Sequence, residues 1–381
     1  MDQKINISSC FDSGNINVIS AETASDIQLE INKDNKSDFY QWFHFRMLST
    51  AGKSHCLRIM NASTSAYVEG WDNYQAVASY DRETWFRVDS DYRNGELIIN
   101  HTPEHNSIYY AYFAPFSYER HLDLLHRVQL SPLCNLEHLG ETLDGRDMTV
   151  AIISDSSIPA AEKKNIWIIA RQHPGETMAE WFCEGVLDRL LDEDDAVAKK
   201  LLMTCNIYVV PNMNPDGSVR GNLRTNAVGS NLNREWLEPT MDKSPEVYLV
   251  RQKMLITGVD LFLDIHGDEA IPQNFVAGCE GIPSYDELHT AKEDCFKAAF
   301  LSASPDFQTK EGYEKDAPGK ANPTIATAWV GEQFNCLSYT LEMPFKDNDD
   351  LPDTTFGWSP ERCYGLGEAV LIPVLETITK F

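Results

Sequence analysis

An apolar run, Ile166-Trp167-Ile168-Ile169-Ala170, gives way directly to Arg171-Gln172-His173-Pro174-Gly175-Glu176-Thr177, and then to a helical pattern over residues 178–191. A short apolar run of this kind reads as a buried strand. A buried strand that enters a helix through a polar loop confines this part of the chain to an α/β sheet, whose sites lie at the C-terminal ends of strands. The loop has the residues it needs: Pro174 fixes φ and Gly175 permits a tight backbone. A His and a Glu three apart can both bind one Zn²⁺, through an imidazole nitrogen and a carboxylate oxygen. Taken alone, such a pair carries little weight, so the remaining ligands have to come from elsewhere in the chain.

The same alternation continues downstream. Strands are expected at 148–153, 166–170, 207–210, 259–265, 275–277 and 336–341, and helices at 178–191, 196–203, 245–256, 283–302, 323–334 and 360–379, with Gly365 and Gly367 as weak points in the last. This alternation means an α/β fold with a mixed, largely parallel sheet flanked by helices. Upstream the pattern differs. From about residue 12 to 115 short strand candidates follow one another (within 39–47, then 56–60, 66–68, 76–80, 84–88, 96–100 and 107–113). Asn94-Gly95 marks a hairpin between 84–88 and 96–100. Short strands separated by turn signals imply an all-β sandwich preceding the α/β part. An amphipathic helix over 118–130 and a loop over 131–147 form the junction. The expected domains are 1–116, a β-sandwich, and 117–381, the catalytic unit.

Composition excludes some functions. Among 381 residues, 58 Asp and Glu against 32 Lys and Arg give a formal charge of −26. That excess argues against binding nucleic acid or an anionic membrane through bulk electrostatics. Nine Cys without a CxxC pattern read as reduced, mostly core thiols. The N-terminus lacks an apolar leader core, and no apolar stretch approaches a membrane span. A cytoplasmic location is expected. The sequence does not choose an oligomeric state.

His266, in Asp264-Ile265-His266-Gly267-Asp268, ends another apolar strand. His173, Glu176 and His266 then supply a His₂Glu set with one open position, the catalytic zinc pattern. Asp264 is placed to orient an imidazole. Between these ligands lies a long polar stretch: Asn212-Met213-Asn214-Pro215-Asp216-Gly217, then Asn222 to Asn226, then Gly229 to Trp236. It contains Arg220, Arg224 and Arg234, and guanidinium groups suit carboxylate recognition and oxyanion stabilisation. The apolar strand at 336–341 ends in Glu342, a candidate general base. One motif is a decoy. His101-Thr102-Pro103-Glu104-His105 matches a zinc-peptidase pattern that works only on a helix, and Pro103 inside a segment between strands argues for a loop. His121 and His126 read as surface or packing residues.

In this order, HxxE, Asn-Pro-Asp-Gly, Asn-Arg, strand-end His and strand-end Glu resemble the zinc metallocarboxypeptidase (M14) family. The closer resemblance is to its cytosolic carboxypeptidase (Nna1-like) branch. It is carried by Phe11-Asp12-Ser13-Gly14-Asn15, Gln41-Trp42-Phe43-His44-Phe45-Arg46, Phe113-Ala114-Pro115-Phe116-Ser117-Tyr118, His173-Pro174-Gly175-Glu176 and Ser338-Tyr339-Thr340-Leu341-Glu342-Met343. The resemblance covers nearly the whole chain and implies an N-terminal β-sandwich packed on a carboxypeptidase domain. It implies one Zn²⁺ per chain on His173, Glu176 and His266, with Glu342 as general base and Arg224 polarising the scissile carbonyl. Asn233 and Arg234 would clamp the terminal carboxylate of a peptide or protein tail, and Tyr313 would cap the substrate.

Eukaryotic members that remove glutamate carry a basic residue in the side-chain pocket. Here Ile325 falls near that position, and Lys320 is the nearby candidate cation for an acidic leaving residue. Two other functions fit parts of the pattern. A zinc amidohydrolase of the aspartoacylase kind shares the ligands but acts on small N-acyl amino acids; the Asn233-Arg234 pair and the sandwich favour the peptidase. A non-catalytic tail binder would not need the full catalytic set.

Overall fold

A computed structural model gives the fold of residues 4–381. Met1, Asp2 and Gln3, part of the segment read above for a leader, lie outside the described residues.

Strands β1 (Asn6–Ser8), β2 (Asn17–Thr23), β3 (Asp26–Glu30), β4 (His44–Leu48), β5 (His55–Ile59), β6 (Val77–Ser79), β7 (Phe86–Arg87), β8 (Ser90–Arg93), β9 (Glu96–His101) and β10 (Ser107–Ala111) build two sheets. Their orders are β1-β4-β10-β6-β7 and β2-β3-β5-β9-β8. Period-2 faces meet between them: Ile27, Leu29, Phe45, Met47, Leu57, Ile59, Leu97 and Ile99 are all buried in one core. This is the expected sandwich.

Two local expectations need correction. Asn94 and Gly95 do form the tight turn, with φ of 54° and 84°. However, the strand they join to β9 is Ser90–Arg93, while Phe86–Arg87 pairs with β6. The aromatic residues at 84–88 gave the stronger strand signal, whereas Ser90-Asp91-Tyr92-Arg93 is an edge strand with one apolar residue to bury. Residues 66–68 are not a strand; Val68–Trp71 is a 3₁₀ turn. Trp71 pins it by donating its indole N–H to the Ala62 carbonyl and Ser65 Oγ.

The α/β part begins with α1 (Tyr118–Val128), capped by Ser117, whose side chain accepts from the Arg120 N–H. Then come β11 (Cys134–Glu141), β12 (Asp147–Ile153), β13 (Lys164–Ala170), α2 (Met178–Leu190), α3 (Ala196–Thr204), β14 (Cys205–Val210), α4 (Pro215–Arg220) and α5 (Pro245–Thr257). They are followed by β15 (Leu261–Asp268), β16 (Phe275–Ala277), α6 (Glu287–Ala303), α7 (Ala326–Phe334), β17 (Leu337–Pro344), α8 (Pro360–Ala369) and α9 (Leu371–Lys380). The sheet order is β11-β12-β14-β13-β15-β17-β16. The centre, β14-β13-β15-β17, is parallel, and the flanks are antiparallel. β14 and β17 are buried along their whole length and β13 from Ile166 onward, as covered parallel strands must be.

The loop expected at 131–147 is largely strand β11. Its apolar alternation breaks at a bulge between His138 and Gly140, which hides the period. The single closing helix expected at 360–379 is two helices meeting at Val370. Neither glycine causes the break. Pro373 has no N–H to offer the Ala369 carbonyl, and its ring crowds that group. None of the described helices is long and apolar enough to cross a membrane.

Candidate metal centre and active-site cleft

Parallel register brings three strand ends to one edge of the sheet. Ala170, the last residue of β13, pairs with Ile265. His266, the next residue of β15, pairs with Glu342 of β17. The loop after β13 carries His173 and Glu176. It is fixed by Arg171, which takes a left-handed φ of 59°. Its guanidinium donates to the Pro174 carbonyl at 2.9 Å, the Phe116 carbonyl at 2.8 Å and Glu180 at 2.7 Å. Glu180 also meets His121 at 2.6 Å, so His121 is a packing residue as expected. His101 and His105 flank a loop between β9 and β10, where no helix forms.

His173, Glu176 and His266 are buried, with possible ligand atoms within 4.8 Å of one another. Glu176 Oε1 lies 2.6 Å from His173 Nδ1, and Oε2 lies 2.8 Å from His266 Nδ1. The two Nδ1 atoms are 3.2 Å apart. Each ring's Nε2 faces an acceptor: Asp264 Oδ2 at 2.9 Å for His266, Asn231 Oδ1 at 3.1 Å for His173. Those acceptors hold the ring proton on Nε2 and turn both Nδ1 lone pairs towards the carboxylate. Two imidazole nitrogens and a carboxylate converge on one buried point, a set of donors that suits a cation. The donor set and its geometry fit Zn²⁺. Behind it runs a chain in which the Trp236 indole donates to Gln172 Oε1 at 2.8 Å and Gln172 Nε2 donates to Asp264 Oδ2 at 2.6 Å.

Burial and the Arg224 charge push His173 down to about 4, which keeps its imidazole neutral near pH 7. Burial pushes Glu176 up, but His173 and His266 outweigh it and hold the carboxylate below its usual range. Burial, opposed by His266 and reinforced by Glu176 and Asp268, holds Glu342 well above its usual range. A raised carboxyl beside the metal position suits proton transfer near neutral pH. Glu342 Oε2 is buried without a partner, and Oε1 lies 3.2 Å from the Tyr313 hydroxyl.

These groups line a cavity of about 740 Å³. Arg224 and Arg234 line it too, as do Asn233 and Ile325. Burial works against the Arg224 charge, but Tyr67, Glu176, Glu269 and Glu342 outweigh it, so the guanidinium stays cationic. Asn233 Oδ1 accepts from the Ala326 N–H at 2.9 Å, and its Nδ2 lies 3.5 Å from His266 Nε2. Tyr313, about half exposed, reaches over the cleft, with its hydroxyl 2.6 Å from Asp268 Oδ2.

Lys320 is not among these residues. It is exposed on the 311–320 loop and does not line the cavity. Proximity in sequence to Ile325 does not carry it there. The cavity instead has Lys297, Lys310 and Lys315, of which Lys297 and Lys315 are ion-paired with Glu293. Sequence reasoning also missed Tyr67, Glu69 and Glu269, which line the cleft. Glu269 follows Asp268 and could have been noticed; Tyr67 and Glu69 come from the sandwich, and no local pattern announces them.

Residues 7–113 match the family model for the cytosolic carboxypeptidase N-terminal domain, and residues 120–362 match that for zinc carboxypeptidase. A candidate carboxypeptidase A from Shewanella denitrificans OS-217 has a crystal structure that superposes with a TM-score of 0.97 at 57% identity, covering 98% of this chain and 99% of that one. A metallo-carboxypeptidase from Pseudomonas aeruginosa, solved with (2-guanidinoethylmercapto)succinic acid, gives 0.92 at 45% identity, covering 97% and 98%. Cytosolic carboxypeptidase 6 of Caenorhabditis elegans is 26% identical, over 88% of this chain and 77% of that one.

Proposed function

Since this chain belongs to the zinc carboxypeptidase family, we propose that it binds one Zn²⁺ on His173, Glu176 and His266 and removes single residues from the C-terminus of peptides or protein tails. The observation that carries this reading is the convergence of both Nδ1 atoms on the Glu176 carboxylate, with Glu342 one strand away in register. When bound, the metal supplies a Lewis acid at the reacting carbonyl and a water of lowered pKa. Glu342 would be the group that accepts a proton from the attacking water and returns it to the leaving amine. The Arg224 guanidinium holds the developing oxyanion. Asn233 and Arg234 hold the terminal carboxylate, and Tyr313 closes over the substrate from the 311–320 loop. Asp264 keeps the His266 proton on Nε2.

The finer expectation is an acidic leaving residue, glutamate above all. Its support is Lys297, Lys310 and Lys315 in the same cavity, where an acidic side chain would compete with Glu293 for Lys297 and Lys315. The Pseudomonas relative's ligand, in which two carboxylates accompany a guanidino group, suits a cleft where both cations and carboxylates face the substrate. A division of the chain at 116/117 is supported by the two family matches, which end at 113 and begin at 120. A cytoplasmic location is supported by the name of the Caenorhabditis relative.

The test is zinc-loaded protein incubated with peptides varied at their last two positions, with C-terminal losses followed by mass spectrometry, beside a panel of N-acyl amino acids. Stepwise loss of C-terminal residues supports the proposal, and glutamate or aspartate release supports its finer form. Hydrolysis of the N-acyl amino acids alone would replace it.

A further inference from the structure

Of the groups assigned to the reaction, His173, Glu176, His266 and Glu342 stand at or just beyond strand ends, but Arg224 does not. It lies in the irregular stretch between α4 and the 3₁₀ turn Leu232–Arg234. Something else must hold it still. Asp34, on the loop after β3 in the sandwich, accepts four hydrogen bonds from that stretch. Oδ1 takes the Leu223 N–H at 2.6 Å, and Oδ2 takes the Arg224 N–H at 2.8 Å, the Thr225 N–H at 2.9 Å and the Thr225 hydroxyl at 3.0 Å. Asp34 is only 3% exposed. The same face of the sandwich flanks the side chain: the Arg224 guanidinium carbon lies 5.5 Å from the ring centroids of both Phe39 and Tyr67. Ser13 donates its N–H to the Val219 carbonyl at 3.0 Å, and Asn15 and Asn35 donate to the Gly221 and Ala227 carbonyls at 2.9 and 2.5 Å. The Arg224 loop is thus anchored to the sandwich before, at and after the arginine.

We propose that Asp34 is a positioning residue for catalysis: it fixes the backbone of Leu223, Arg224 and Thr225 so that the guanidinium is held over the cleft before substrate binds. The sandwich then completes the active site rather than merely adjoining it. Three N–H groups aimed at one carboxylate define a single backbone conformation, and an oxyanion donor fixed in advance needs no reorganisation during the reaction. The proposal rests on the assignment of Arg224 as the oxyanion donor.

The test is a double-mutant cycle on the full zinc-loaded chain with one susceptible peptide. Asp34→Asn keeps the shape but sets an amide N–H against the loop's own donors. It is expected to lower kcat by about 10²-fold, the scale of a catalytic group displaced by an ångström, with KM and zinc content little changed. In an Arg224→Ala background the same substitution is expected to cost nothing further, because residues acting as one unit are not additive. A loss of equal size in both backgrounds, or undiminished turnover in Asp34→Asn, overturns the proposal while leaving the Arg224 assignment intact. Undiminished turnover in Arg224→Ala overturns that assignment and the proposal with it. If Asp34→Asn does not fold, Thr225→Val removes one of the four donors, and the same cycle decides by the same non-additivity.

Discussion

Glu342 and His266 face each other across a single strand pair, and the reaction assigned to Glu342 depends on one proton. Glu342→Gln keeps the size of the side chain and removes its basicity. It is expected to retain zinc and to lose about 10²–10⁴-fold in kcat, the range for a general base, as read by metal analysis alongside turnover. Asp264→Ala is expected to weaken zinc binding by about 10–100-fold, measured by competition with a chelator, because the His266 ring loses the acceptor that fixes its tautomer. A third residue acts on stability. Burial pushes Glu246 up to about 8, against hydrogen bonds from Asn226. Between its ordinary pKa of 4.5 and about 8, the folded state therefore holds a proton that the unfolded chain has released. The contribution to stability is complete below the lower value and is lost as pH rises through the upper one. Thermal unfolding across that window should show wild-type stability declining with pH and a flatter profile for Glu246→Gln; matching profiles would contradict the assignment.

At the level of elements, the closing helices separate the two glycines that the sequence grouped together. A Cβ on Gly367 would stand 2.0 Å from the Phe182 carbonyl oxygen of α2, whereas one on Gly365 would meet nothing within 4 Å. Gly367→Ala should destabilise by about 1–3 kcal/mol, the usual cost of overpacking. Gly365→Ala should stabilise by about 0.4–1 kcal/mol by restricting the unfolded chain. Urea titrations of both variants check the signs. The contrast also shows what a sequence conveys. The strand ends that carry His173, His266 and Glu342 were legible because a largely apolar stretch ending in a polar loop is a local signal, unbroken at Ile166 to Ala170 and interrupted only by Asp264, or by Ser338 and Thr340, in the other two. Strand β11 was not, because one bulge shifts its period. The first strand of the hairpin was misplaced because Trp85, Phe86 and Val88 outweigh the polar edge strand beside them.

Across the whole molecule, the contacts that sequence could not reveal are those joining the sandwich to the cleft. Asp34, Phe39 and Tyr67 have no local pattern that marks them, and their partner Arg224 lies far along the chain. Lys320 illustrates the converse: it is near Ile325 in sequence and exposed outside the cavity in space. Zinc should couple to the stability of the assembled molecule, since a ligand at a hundred times its dissociation constant adds about 2.7 kcal/mol to the folded state. Chelation is expected to lower the unfolding temperature, and restored zinc to recover it. The most direct test of the central claim uses one peptide in two forms, with a free C-terminal carboxylate and with that carboxylate amidated, each followed by mass spectrometry with zinc-loaded protein. If Asn233 and Arg234 clamp the terminal carboxylate, the free acid loses single C-terminal residues and the amide is inert. Equal cleavage of both forms, or internal fragments from either, would contradict a carboxypeptidase.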